Sequence, residues 1–370
     1  AFNEYYPHVT VNYEQNTGSK LVEYLKNNSQ VDLFMTDDTN LRYPDWTDYY
    51  VRDNCLDLAQ AGVDTSAVED GLLASCTFDG QLLSLPSGLK LVGITVNKTL
   101  LRQEGLEVPT NWQELLDVCA ALKEKGYIPL QGPEESIYAD LVYNMGMCTL
   151  GEDPARIEEL NQGEDAAAEA LQPAFERLQE LLDKGYIDPA VNAEYPADNY
   201  DGAILKFFEG DVPFWVCSTE KVSGMKKRES KSEAYSAEPF DYEFLYAPLG
   251  DAGAYEYIEP WVGFSVNKNS QNLDYAVEFV RFLARAEQLE TLASVKGVPS
   301  IGRTTADERY LPLRNNEHVE QRFVNEGTVL NHMKDYFRQE AENLGHGETA
   351  SPAEAAQNYV ARCAEVAQRM

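Results

Sequence analysis

The chain has 370 residues, of which 44% are hydrophobic, a size and composition typical of a globular protein with two domains. Its 62 acidic and 30 basic residues give a net charge of −32. That charge argues against nucleic-acid binding, which needs basic surface, and against docking of the folded body on anionic lipid. No apolar run in the sequence approaches the length of a membrane span.

The first predicted elements form a strand, helix, strand pattern. They are a strand over Val9–Tyr13, a short helix over Gly18–Asn28 and a strand over Val31–Met35. This order predicts a parallel α/β sheet, in which ligands bind at the carboxyl ends of the strands. We therefore expect Asp37 and Asp38 to accept hydrogen bonds from ligand hydroxyls. The alternative is that they cap the next helix.

The stretch Asp79–Leu122 joins a predicted buried strand to an amphipathic helix. Leu91–Val96 is almost wholly apolar and rich in β-branched residues, as expected of a strand covered on both faces. Thr110 and Gln113 have the spacing of a capping box and predict the start of a helix. Apolar residues then follow at helical spacing on one face, at Leu115, Val118, Cys119 and Leu122.

Helices and strands continue to alternate in the middle of the chain. Predicted helices over Leu171–Lys184 and Tyr200–Glu209 each end at a glycine, Gly185 and Gly210. The second helix leads into an apolar run that contains Trp215. Lys226–Glu238 is polar and is predicted to be a surface loop.

The last third of the chain contains two predicted amphipathic helices. The stretch Trp261–Ser270 follows a Gly-rich turn, and the last helix is predicted to begin at the capping box of Ser351 and Glu354. The predicted buried positions of the two helices are Ala276, Phe279, Val280 and Leu283, and Ala356, Tyr359, Val360 and Cys363.

The order of these motifs is similar to that in extracellular solute-binding proteins of ABC importers, in the sugar-binding family that includes maltose-binding protein. A departure is Pro213-Phe214, where the family has an alanine–methionine pair. The matching residues mark the first crossing between two lobes, a return strand and a turn: Asp79-Gly80-Gln81, Leu85-Pro86, Asn97-Lys98, Pro109-Thr110-Asn111-Trp112-Gln113-Glu114-Leu115, Trp261-Val262-Gly263 and Gly297-Val298-Pro299.

The resemblance implies a two-lobe α/β fold of the periplasmic-binding-protein type. Each lobe would be a mixed, mostly parallel sheet flanked by helices, with the ligand cleft between the lobes. Residues 1–97 and 263–307 would form lobe 1, lacking its first strand, and residues 98–262 and 308–370 would form lobe 2. We expect the missing strand, an export signal and a lipid-anchored cysteine to precede Ala1.

Motifs of catalysis and metal binding are absent from the sequence, which contains no G-x-S-x-G, P-loop, HExxH or EF-hand pattern. The four histidines are dispersed, and the six cysteines include no CxxC pair. We therefore predict no catalytic residue, metal site or cofactor. The sequence does not decide whether two carboxylates form a pair suited to glycoside hydrolysis. It also does not decide whether Cys55 and Cys76 form a disulfide.

Aromatic residues are the better indication of a binding site, because sugar rings pack their apolar faces on aromatic planes. Trp261 and Trp215 are candidate stacking platforms, and the alternative for each is a place in the core. Lys90 and Tyr138 follow turns where the family often has pocket residues, so the resemblance predicts that they bind the ligand. It also implicates Arg303, for which surface placement is the alternative. Ser218 and Thr219 are predicted ligand-binding residues because they come just after Trp215.

The predicted function is that of the solute-binding component of an ABC transporter. It would capture a mono- or oligosaccharide between its lobes by hinge closure and deliver it to a membrane permease. We expect an extracellular or periplasmic monomer. The alternatives are a polyamine-binding protein, a carbohydrate-active enzyme such as a glycoside hydrolase, and a scaffold module. Anionic ligands are disfavoured, although Arg303 or Lys90 could reverse that preference.

Overall fold

A computed structural model describes residues 1–14, 21–28, 30–36, 50–151, 154–195, 199–302, 319–323 and 334–367. The strands in this part of the chain are β1 Leu33–Thr36, β2 Thr77–Phe78, β3 Gln81–Leu82, β4 Leu85–Pro86, β5 Leu89–Asn97, β6 Leu130–Gln131, β7 Phe214–Ser218, β8 Tyr242–Leu245, β9 Ala254–Pro260, β10 Gly263–Val266 and β11 Val319–Phe323.

The α-helices, in chain order, are α1 Phe2–Tyr5, α2 Leu21–Asn27, α3 Tyr50–Asn54, α4 Asp70–Ser75, α5 Lys98–Gln103, α6 Trp112–Glu124, α7 Val142–Gly151, α8 Pro154–Gln162, α9 Ala166–Asp183, α10 Pro189–Asn192, α11 Tyr200–Phe207, α12 Thr219–Glu229, α13 Glu233–Ala237, α14 Leu273–Leu283, α15 Ala286–Lys296, α16 Lys334–Gly345 and α17 Pro352–Ala367. Ser136–Leu141 forms a π-helix. No helix in the described residues has the length and apolar character needed to span a membrane.

The chain forms two compact units, each built from separate stretches of sequence. Unit 1 comprises Ala1–Leu89, Glu259–Glu308 and Phe323–Glu326, and unit 2 comprises the remaining residues. Two of the unit boundaries therefore fall inside β5 and β9. The sequence prediction placed the corresponding changes of lobe at residues 97 and 263.

Unit 1 contains a three-stranded sheet in the order β1-β10-β4. Both strand pairs are antiparallel. Gly263 of the central strand β10 lies opposite Thr36 of β1 on one side and opposite Pro86 of β4 on the other. The strand predicted over Val9–Tyr13 is wrong, since residues 9–14 are irregular. The backbone groups of Val9 bond locally instead: its N–H donates to the Tyr6 carbonyl at 3.0 Å, and its carbonyl accepts from Asn3 Nδ2 at 2.7 Å.

The larger sheet has the order β11-β9-β5-β7-β6, with β8 also paired to β5. The apolar residues of β5 are buried, as the sequence predicts. Gly93 allows the close approach of the Leu245 carbonyl, because a Cβ at this position would lie only 2.1 Å from that oxygen. β6 and β7 are parallel, whereas β5 is antiparallel to β7 and β8. The sheets are thus mixed as expected, but mostly parallel pairing is wrong for the described registers. A parallel pair needs a long crossover, and the helices between β6 and β7 supply one.

Helix α6 begins one residue later than the predicted capping box. Asn111 is the N-cap, and its Oδ1 accepts the N–H of Glu114 at 3.0 Å. Glu114 reaches back to the N–H of Thr110 at 2.8 Å. The N-cap is therefore Asn111 in place of Thr110, and the carboxylate three residues on binds the N–H that precedes the N-cap, so the bonds differ from those of a standard capping box.

The cap at the start of α17 is confirmed, because the N–H of Glu354 donates to Ser351 Oγ at 3.2 Å.

The surface loop predicted over Lys226–Glu238 is wrong: much of it belongs to α12 and α13. Within this segment Ser232 is the N-cap of α13, and its Oγ accepts the N–H of Tyr235 at 3.1 Å. Cys55 and Cys76 are both buried free thiols, so the disulfide left open by the sequence is not formed.

Candidate functional site

In unit 2, predicted binding residues meet at one end of the large sheet. Antiparallel pairing places Val92, near the start of β5, opposite Ser218, the last residue of β7. The N–H of Leu91 donates to Thr219 Oγ1 at 3.1 Å. Lys90, Ser218 and Thr219 therefore lie at the same end of the sheet.

The π-helix Ser136–Leu141 adds a carboxylate to this end. Its six residues are all buried, including Asp140. The Nζ atom of Lys90 lies 3.7 Å from Asp140 Oδ1, and the two side chains are 23% and 7% exposed. π-Helices are rare and often occur at functional sites. Sequence reasoning missed Asp140, although a single carboxylate inside an apolar segment was a usable signal.

Three buried hydroxyls, two on the π-helix and one at the end of β7, have no hydrogen-bond partner among the described residues: Ser136 Oγ, Tyr138 OH and Ser218 Oγ. A buried hydroxyl without a partner costs about 1–3 kcal/mol, so such groups call for an explanation by function or by bound water. Thr219 differs, because its oxygen accepts the Leu91 N–H bond.

Tyr138 packs under the end of α16. Its ring makes an edge contact with the His346 ring at 6.0 Å between centroids, and His346 Nε2 lies 3.4 Å from Glu134 Oε1. Burial, with smaller contributions from Glu134 and Glu342, raises the pKa of Tyr138 to about 12. Tyr138 therefore stays neutral at physiological pH.

Trp215 lies in the core of unit 2. Its side chain is fully buried, and its ring stacks on Phe207 with 5.6 Å between centroids. In this arrangement the indole packs against protein, and sugar stacking would require one ring face to become accessible. The predicted role of Trp215 in ligand binding stays a prediction.

Trp261 precedes β10 in unit 1 and is partly exposed. The backbone N–H of Trp261 donates to the Gly88 carbonyl at 2.8 Å. A Cβ on Gly88 would lie 3.0 Å from Val298 Cγ2 and 3.5 Å from Trp261 Cε3. The glycine thus allows the indole to approach the backbone beside the predicted turn at Val298-Pro299.

A second set of hydroxyls lies at the end of β1 in unit 1. Thr36 Oγ1 is 2.9 Å from Ser84 Oγ and 3.1 Å from Ser265 Oγ, and all three residues are buried. These hydroxyls satisfy one another and were not predicted from the sequence. The predicted site residues Asp37, Asp38 and Arg303 lie outside the described residues.

The described side chains include no group of three or more His, Cys, Asp or Glu residues placed to hold a metal ion. The two local arrangements therefore offer other chemistry. Unit 2 has an ammonium–carboxylate pair and, on the same π-helix and at the end of β7, buried hydroxyls. Unit 1 has a partly exposed indole.

The fold is similar to that of solved sugar-binding structures. The GacH receptor of Streptomyces glaucescens has 21% identity and a TM-score of 0.73, with 99% of this chain and 92% of that chain covered. The sugar-binding protein MalE of Xanthomonas citri has 17% identity and a TM-score of 0.73, with the same coverage. A sugar transporter of Bacillus licheniformis, solved with stachyose, has 16% identity and a TM-score of 0.68, with 95% and 88% covered.

No match was found among curated proteins. The family model of the bacterial extracellular solute-binding proteins, however, matches residues 1–311. This match covers most of the chain, and the fold similarity extends along nearly all of it. The two-lobe fold predicted from the sequence is confirmed, and the chain belongs to the bacterial extracellular solute-binding protein family.

Proposed function

We propose that this protein is the sugar-binding component of an ABC importer and that its ligand is a mono- or oligosaccharide. The observation that carries the proposal is a set of three buried hydroxyls in unit 2 without a hydrogen-bond partner among the described residues, two on the π-helix that carries Asp140 and one at the end of β7. Saccharides bring several hydroxyls that both donate and accept hydrogen bonds, and such a group of side chains can pair with them.

The partly exposed Trp261 supports the same ligand class. An indole can cover the apolar face of a sugar ring, a contact that neither an amino acid nor a small ion would use as well. The similar structures also support it: the GacH receptor was solved with acarbose, and the Bacillus licheniformis protein with stachyose.

Delivery to a permease, an extracellular or periplasmic location and a lipid anchor extend this proposal. The family's extracellular character supports the location. Capture by closure of the two lobes, with Asp37, Asp38 and Arg303 among the contacts, stays a prediction. A monomer would suffice for this role, and the proposal assigns the chain no catalytic step.

The test is a thermal-shift screen with neutral saccharides, polyamines and amino acids, combined with mass spectrometry of the incubated sugars. We expect a neutral saccharide to raise the melting temperature in a concentration-dependent way, because a ligand that binds the native state stabilises it. The saccharide should be recovered unchanged. A shift caused only by polyamines, or cleavage of a glycoside, would refute the proposal.

A further inference from the structure

The pair formed by Lys90 and Asp140 joins two elements of unit 2 that are distant in sequence. Lys90 lies near the start of β5, and Asp140 lies near the end of the π-helix. Their charged atoms are 3.7 Å apart, and the lysine side chain is the more exposed at 23%. The pair is therefore partly open on the lysine side and buried on the carboxylate side.

The separation is longer than a direct hydrogen bond, which for N–H···O is about 2.7–3.2 Å. A hydroxyl oxygen placed about 2.8 Å from both atoms would accept a bond from the Lys90 ammonium and donate its own proton to Asp140. Only a group that is both donor and acceptor can do this. A carboxylate has no proton to donate, and an ammonium has no lone pair to accept with.

Electrostatics favour the same discrimination. The charges of Lys90 and Asp140 compensate each other, so a charged ligand attracted by one member is repelled by the other at nearly the same distance. The net charge of −32 adds a general repulsion of anions. An isolated Lys90 would instead attract them.

A structural role alone accounts poorly for the arrangement. A buried ion pair seldom stabilises a protein more than apolar residues of the same size. Here the carboxylate is carried by a π-helix, an uncommon geometry whose neighbouring hydroxyls Ser136 Oγ and Tyr138 OH are buried without partners among the described residues.

We propose that Asp140 is a specificity-determining residue which, with Lys90, restricts unit 2 to uncharged hydroxylated ligands and excludes uronic acids and amino sugars. This inference rests on the proposed saccharide-binding function.

The test is calorimetric titration with raffinose, stachyose and maltotriose as neutral probes, trigalacturonate as the anion and the glucosamine trimer as the cation. The wild-type protein should bind at least one neutral probe at least tenfold more tightly than either charged one. In Asp140→Asn we expect the neutral affinity to fall about tenfold and the ratio of trigalacturonate to neutral affinity to rise at least tenfold.

Asp117→Asn is the matched control, because it removes one carboxylate from an exposed position on α6, where Asp117 accepts a bond from Gln113 of the same helix. Lys90→Arg keeps the positive charge and should retain the neutral preference. If Asp140→Asn does not fold by circular dichroism, Lys90→Met at the more exposed partner provides the test, with the preference moving toward the glucosamine trimer.

The outcomes separate this inference from the function on which it rests. If the wild-type protein binds a neutral saccharide but Asp140→Asn and Lys90→Met keep the preference of Asp117→Asn, the inference is overturned and the proposed function stands. Tighter wild-type binding of trigalacturonate than of every neutral probe also overturns it. If no saccharide binds the wild type, the proposed function itself fails.

Discussion

Trp112, Trp215 and Trp261 show how differently a single residue type is used in this protein. The Arg177 guanidinium lies 4.9 Å from the centre of the Trp112 ring and holds Asp251 at 2.9 Å, so this indole anchors the start of α6. Trp215 is enclosed in the core. Among these three tryptophans, Trp261 is the one that is partly exposed, whereas Trp112 and Trp215 are buried.

Replacing Trp261 with alanine should therefore weaken saccharide binding at least about tenfold, since a central aromatic contact is commonly worth about 1.4 kcal/mol or more. Trp261→Phe should retain part of the affinity. Titration calorimetry measures both. Tyr275→Ala, which removes an aromatic ring that is 44% exposed on α14 of the same unit, is the control. Equal affinity for wild type and Trp261→Ala would remove this residue from the site.

Tyr138 provides a prediction about pH. Its pKa is raised from 10.0 to about 12 by burial in the folded state, so at pH 10–12 the unfolded chain loses this proton before the folded protein does. Its contribution to stability is fully present below pH 10 and is lost as the pH rises through 12. Tyr138→Phe should reduce the loss of unfolding free energy between pH 9 and about pH 11, as measured by urea denaturation.

The same variant should cost little stability at pH 7, because the Tyr138 hydroxyl has no partner among the described residues whose bond would be lost. Tyr195 and Tyr242 also have pKa values raised, chiefly by burial, so part of the alkaline loss will persist. An unchanged alkaline slope in Tyr138→Phe would contradict the burial of an ionisable hydroxyl at this position.

At the scale of elements, helix ends are defined by short side chains. Asn111 caps α6, Ser351 caps α17, and Asn97 caps α5 through a 3.0 Å bond from the N–H of Leu100. Asn97 also donates to the Gly210 carbonyl at 3.0 Å, so it joins the end of β5 to the turn before β7. Each cap satisfies a backbone N–H that has no partner within its own helix.

Asn111→Ala should lower the free energy of unfolding by about 1 kcal/mol, the usual cost of losing an N-cap. Chemical denaturation of the two proteins side by side measures the difference. Gln113→Ala is the matched control, because Gln113 is exposed and its side chain donates to Asp117 on the same helix. A cost for Asn111→Ala no larger than that of the control would show that the cap contributes nothing.

For the whole molecule the dominant electrostatic feature is the net charge of −32. Its ion pairs include many with well-exposed partners, such as Arg102 with Asp241 at 59% and 53% exposure, and such pairs add little stability. Repulsion between the excess carboxylates opposes the compact state.

Raising NaCl from about 10 mM to about 150 mM should therefore raise the melting temperature by a few degrees, because the Debye length shortens from about 30 Å to about 8 Å. Differential scanning calorimetry at pH 7 measures the effect. At pH 4, where many carboxylates are protonated, the same salt increment should have a smaller effect. A melting temperature that falls with salt at pH 7 would mean that attractive pairs outweigh the repulsion.

The sequence by itself determined the local features of this protein and, through their order, its family. The buried strand β5, the ends of α9 and α11 near Gly185 and Gly210, and the cap at Ser351 depend on side chains within a few residues of one another. Capping spacing and apolar periodicity record such short-range chemistry directly. The one-residue error at Asn111 arose because both Thr110 and Asn111 are good cap residues.

Only the tertiary structure decided which of the distant side chains meet. The continuously apolar sequence of β7 is typical of a strand buried on both faces, but it could not indicate that Trp215 would stack on Phe207. The pairing of Lys90 with Asp140 joins residues that are remote in sequence, and it depends on the register of β5 and β7 and on a π-helix that no pattern predicted. Long-range pairing is decided by packing of whole elements, which local periodicity does not encode.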